Sequence, residues 1–93
     1  MSVRFDPDKE AVNVQKHGVS LADAEGVFHD LFAIHMEDVD AEGEQRFLAV
    51  GLGNACRVLV VSYTQRGEDI RIISVRRASR SERQQYESGI RLF

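Results

Sequence analysis

Apolar residues recur at helical intervals over Leu21 to His29, and beyond Asp30 they alternate or run together, so the chain reads as helices first and strands afterwards. Asp6 before Pro7 predicts a cap and a first helical residue, with the helix running to His17 and Gly18 supplying the left-handed residue that ends it. Ser20 is placed to cap a second helix over 21–29. Its apolar stripe Leu21, Ala24, Val27 and Phe28 is there to be buried, leaving Asp23 and Glu25 outside, and Val19 can pack back on Ala24. Strands are predicted at 33–38, 45–53, 57–64 and 69–76, joined by turns at Gly53-Asn54 and Arg66-Gly67. Short connections pair neighbours antiparallel, and Ser79 with Glu82 three residues on forms the capping box of a last helix. The expected fold is α+β: two N-terminal helices, an antiparallel sheet of about four strands that residues 3–5 can join, and a C-terminal helix.

The strands also carry information about faces. The third is apolar on both sides near its start, at Val58 to Val61, which marks it as central. Alternation along the fourth puts Arg71, Ile73, Val75 and Arg77 on one face and Ile70, Ile72, Ser74 and Arg76 on the other. Arg76 and Arg77 therefore point apart unless a bulge or the strand end intervenes.

Charge sharpens this picture. The net value of -3 conceals a division: residues 1–56 hold 4 basic and 11 acidic side chains, whereas 57–93 hold 8 and 4. Every base in the second part is arginine, whose planar fork grips carboxylate or phosphate, while Lys9 and Lys16 lie in the first. The arginines either serve an anionic partner or pair with the acidic half of the same chain. Segment 30–44 contains six acids and no Lys or Arg, and is expected to face water or a basic partner. With 93 residues the chain is expected to form a single domain over 1–93. Cys56 is expected as a small buried hydrophobe, the compartment as the reducing cytoplasm, and neither a signal peptide nor a membrane span is expected. No metal-ligand spacing stands out among three histidines and one cysteine, and no cofactor is expected.

In order along nearly the whole chain come Phe5-Asp6-Pro7 with Lys9, Asn13, Lys16-His17-Gly18-Val19-Ser20, Ala24, Val27-Phe28, Asp30, Glu44-Gln45-Arg46-Phe47 and Gly51. Tyr63-Thr64, Arg66-Gly67, Ile70-Arg71-Ile72-Ile73-Ser74, Arg76-Arg77-Ala78, Glu82-Arg83 and Tyr86 complete the series. In these residues the chain resembles the BrnT family, the toxin half of a bacterial type II toxin-antitoxin pair. It departs at Phe5, where the family often has Trp. The resemblance implies a RelE-like fold and a ribonuclease that inhibits translation. It also implies a cognate BrnA-like antitoxin that dimerises through a ribbon-helix-helix domain, so that DNA is met only through the complex. That matches a chain in which no helix concentrates the basic residues.

Cleaving RNA without metal needs a group to take the 2'-hydroxyl proton, another to protonate the departing 5'-oxygen, and cations to stabilise charge on the phosphate. His17, beside Lys16 at a helix end, is the titratable candidate; alternatively it serves the last carbonyls of that helix. His29 and His35 read as structural or exposed. Tyr63 is a candidate to stack on a base or lend its hydroxyl, or else a core residue. Lys16, His17, Tyr63, Arg66 and Arg76 make up the candidate catalytic set, with Arg71, Arg77 and Arg83 as RNA-binding residues. Arg71 can instead pair with Glu68 or Asp69, and Glu82 either caps its helix or orients Arg76. The competing function is a noncatalytic protein whose arginines bind an acidic partner. Common to these candidates is an arginine pocket formed by the last strands.

Overall fold

A computed structural model describes residues 2–91. Strand β1 (Ser2–Phe5) leads into helix α1 (Pro7–His17), a 3-10 turn (Leu21–Ala24) and helix α2 (Glu25–His29). Strands β2 (Ile34–Glu37), β3 (Phe47–Leu52), β4 (Val58–Arg66) and β5 (Asp69–Arg77) follow, and α3 (Arg80–Arg91) ends the series. The caps form as the sequence predicts. The Asp6 carboxylate accepts from the Asp8 N–H at 3.0 Å, and Gly18 closes α1 with φ 69°.

The expected second helix is split. Asn54 donates its backbone N–H to Asp23 O at 3.0 Å and its side-chain amide to Ala22 O at 3.1 Å. Those carbonyls would otherwise serve a continuous α-helix, so the first turn stays 3-10 and α2 starts only at Glu25. Glycines permit the approach: a Cβ on Gly26 would lie 2.8 Å from both Asn54 N and Gly53 C.

The sheet has five strands in the order β1-β5-β4-β3-β2, with β4 at its centre. Neighbours pair antiparallel except β1, which runs parallel to β5, so the about four antiparallel strands expected become a mixed five. Parallel pairing is possible because the rest of the chain serves as the crossover. One face buries Leu59, Val61, Tyr63, Ile70, Ile72 and Val75 beneath Val19, Leu21, Ala24 and Val27. The other buries Val50 and Val60 beneath Tyr86 of α3.

A bulge corrects the alternation read from the sequence. Ser62 pairs with Ser74 but Tyr63 pairs with Ile72, leaving Ile73 as an extra residue. The phase shifts there, and Val75 joins Ile70 and Ile72 in the helix-covered core. Arg71 and Arg76, assigned to opposite faces by strict alternation, consequently share the α3 face, while Arg77 stays on the opposite side from Arg76.

Beyond Phe5, which pairs with Ile72, β1 no longer covers the edge of β5. Asn13 of α1 takes its place: its side-chain amide donates to Val75 O at 2.9 Å and to Val19 O at 2.8 Å, and its Oδ1 accepts from Val75 N at 3.1 Å.

Candidate functional site

Strand β5 is the element on which the candidate chemistry converges. Arg76, paired with Val60 across the sheet, sends its guanidinium to Glu82 in a fork of 2.7 and 2.8 Å. Glu82 is also the capping residue of α3, accepting the Ser79 N–H at 2.8 Å while its own N–H donates to Ser79 Oγ at 3.2 Å. Both roles open to Glu82 from the sequence therefore coexist, because cap and fork use the same carboxylate. The Arg76 bonds, outweighing partial burial and helped by Ser79, bring the Glu82 carboxyl down to about 2. The same hydrogen bonds raise the Arg76 pKa further, so this cation is locked in charge and direction.

Ser74 lies between Arg71 and Arg76 along the strand. Together with Ile73 it forms one wall of a cleft of about 280 Å³ whose other wall is α1, with Lys9, Val12, Asn13, Lys16 and His17. The bulge and the Asn13 clasp bring the last turn of α1 to this strand. Gly18 donates to the Val14 carbonyl at 2.7 Å, and among the described contacts His17 makes no hydrogen bond to the helix end.

Arg66 forks onto Glu44 at 3.2 and 3.3 Å. The Glu44 pKa is lowered chiefly by the Arg66 hydrogen bond, with Arg71 and Arg46 adding attraction. Thr64, opposite Arg71, is 2% exposed, and its hydroxyl has no partner among the described residues. Arg71 joins Arg4, Arg66 and Asp69 around a cleft of about 480 Å³, in which Asp69 lies 3.9 Å from Arg4, and no ion pair between Arg71 and Asp69 forms among the described residues.

The acidic segment is less uniformly solvated than expected. Asp30 accepts from the Tyr86 hydroxyl and from the N–H groups of Leu52 and Phe32. Burial works to raise the Asp30 pKa, but these bonds outweigh it and lower it. Burial, then the Asp30 carboxylate, push the Tyr86 hydroxyl up to about 12. This contact ties α3 to the loop before β2, and no short-range pattern announces it.

Other candidates lie elsewhere. Tyr63 is buried on the helix-covered face, stacked on Phe47 at 5.5 Å and edge-on to Phe28 at 5.0 Å, with its hydroxyl 2.9 Å from His35 Nδ1. His35 thus has company that its sequence neighbours do not reveal. Arg77 and Arg83 border a groove of about 580 Å³ with Arg57, Leu52, Tyr86 and Ile90. The single arginine pocket expected from the last strands is not formed; the guanidinium groups divide between the α3 face of β5, the Glu44 cluster and this groove. Cys56, expected to be buried, is exposed at a left-handed turn position with φ 59°.

Among the described residues, no His, Cys, Asp and Glu side chains gather in threes as metal ligands, and no helix is long and apolar enough to cross a membrane.

A mixed sheet of this order, flanked by helices and bearing arginines on its last strands, has the RelE-like fold of small ribonuclease toxins. The sequence profile of BrnT, the ribonuclease toxin of type II toxin-antitoxin systems, matches residues 5–82, and the chain belongs to that family. The 1.1 Å crystal structure of the Brucella abortus ribonuclease toxin BrnT is similar at 29% identity and a TM-score of 0.66, covering 86% of this chain and 99% of that one. No curated protein matches the chain. Membership of a type II system implies a cognate antitoxin.

Proposed function

We propose that the protein cleaves RNA without a metal ion, in the cytoplasm, and so inhibits translation until a BrnA-like ribbon-helix-helix antitoxin neutralises it; DNA is met only through that complex. The observation that carries this reading is the rephased β5, with Arg71 and Arg76 on one face to either side of Ser74 and Ser74 bordering the Lys16 and His17 cleft. In this arrangement Arg76, oriented by Glu82, holds the scissile phosphate and stabilises the charge that grows on it. His17 exchanges the proton of the attacking 2'-hydroxyl or the departing 5'-oxygen, and Lys16 adds positive charge beside it. Arg71, with Arg66 once Glu44 withdraws, holds a neighbouring phosphate, and Arg77 and Arg83 hold more distant ones. Tyr63 supports the sheet from below.

The test is cleavage of a fluorescent RNA in EDTA by the wild type, Arg76→Ala and His17→Ala. Activity in EDTA that falls about 100-fold in each variant supports the reading; activity that appears only on adding a divalent metal removes it. The second reading, a noncatalytic binder of an acidic partner, is favoured by Arg66 and Arg76 already gripping carboxylates. Toxicity that survives Arg76→Ala while antitoxin binding is lost would show that Arg76 is no phosphate clamp.

A further inference from the structure

Strand β2 ends the sheet, and its outer side pairs with nothing among the described residues. An edge strand of this kind turns alternate N–H and C=O groups outward, a ready template for one more strand. Edges are ordinarily protected by charge on the strand or by burial, and β1, the opposite edge, keeps Val3 and Phe5 packed on the core. Strand β2 and its flanks carry charge but leave apolar side chains open. Leu31 is 95% exposed, Val39 83%, Met36 41% and Phe32 40%, half of the eight large hydrophobic residues exposed among those described. Around them stand Glu37, Asp38, Asp40 and Glu42, none of which is in an ion pair among the described residues.

We propose that the free edge of β2 is the docking strip of the antitoxin, which adds an extended segment of alternating apolar and basic residues to the sheet. The apolar side chains of that segment cover Met36 and Val39, and its Lys or Arg residues meet the four acids. The charge selects this occupant over the others. RNA is repelled by a stretch without a single Lys or Arg, and a second copy of the chain would bring the same acids face to face. Strands β3 and β4 separate this edge from β5, about 14 Å at sheet spacing. About five further residues of extended antitoxin chain would therefore reach the arginines from here.

The proposal rests on the type II reading of the protein, and its test keeps the two apart. Purified cognate antitoxin is titrated into the wild type, Met36→Lys, Val39→Lys and, as a control at an exposed position of α1 outside the cleft, Val14→Lys. The two β2-side variants should bind about 10-fold or more weaker and the control within twofold, because a lysine here meets a basic segment. In the wild-type complex, hydrogen exchange should slow at the outward-facing amides of Ile34–Glu37. RNA cleavage by the free variants should equal that of the wild type, so absence of cleavage in every protein counts against the ribonuclease reading alone. Unchanged affinity in both β2-side variants, or protection confined to the groove beside Arg57 and Arg83, overturns the docking strip.

Discussion

Replacing Asn13 by alanine tests the contact that joins the two halves of the candidate site. Asn13 is 5% exposed and its amide makes three bonds, two to the peptide of Val75 and one to Val19 O. Alanine leaves one donor and two acceptors without partners at the edge of β5, each costing about 1–3 kcal/mol while it stays dry. Water reaching the opened edge keeps each near the lower end, so the expected loss is about 3–5 kcal/mol. In a domain this size total stability is on the order of 5–15 kcal/mol, and each kcal/mol moves the melting temperature by about 4–8 °C. Urea unfolding followed by circular dichroism should show a lower midpoint with an unchanged slope. Asn13→Asp should do no better, since it keeps the acceptor for Val75 N–H but turns negative charge on two carbonyls. A loss below about 1 kcal/mol would refute the reasoning, because the Val75 peptide would then find its partners without α1.

Glu82→Gln should flatten the acid limb of stability. The Glu82 carboxyl titrates near 2 in the folded protein against an ordinary 4.5, so its contribution is whole above about pH 4.5 and disappears as pH falls through 2. After allowance for solvent screening that contribution is about 1–2 kcal/mol, read as the difference between urea melts at pH 7 and pH 2.5 in wild type and variant. Glu44→Gln should release Arg66 and tighten binding of a short uncleavable RNA several-fold at low salt, with a steeper salt dependence; equal affinities would show that Arg66 meets no phosphate. Tyr63→Phe should retain RNA cleavage within about twofold and lose about 1 kcal/mol of stability, since among the described residues its hydroxyl meets His35; a large loss of activity would return that ring to the active site.

Local chemistry in the sequence determined both ends of α1, the start of α3, the order of elements and the central place of β4. Caps, turns and alternation act over a few residues, so Asp6, Gly18, Ser79 and Glu82 announce their roles without any tertiary context. The arginine-rich end of the chain and the family motifs were equally legible there. Tertiary structure alone decided what those arginines face. One extra residue at Ile73 reversed the phase of β5 and put Arg71 on the same face as Arg76, and no periodicity in a single strand reveals a slip defined by its partner. Partners distant in sequence did the rest: Glu44 claimed Arg66, Asp30 met Tyr86, and Asn13 replaced a missing stretch of β1. Such contacts depend on which surfaces the sheet brings together, and that is settled only when the whole core closes.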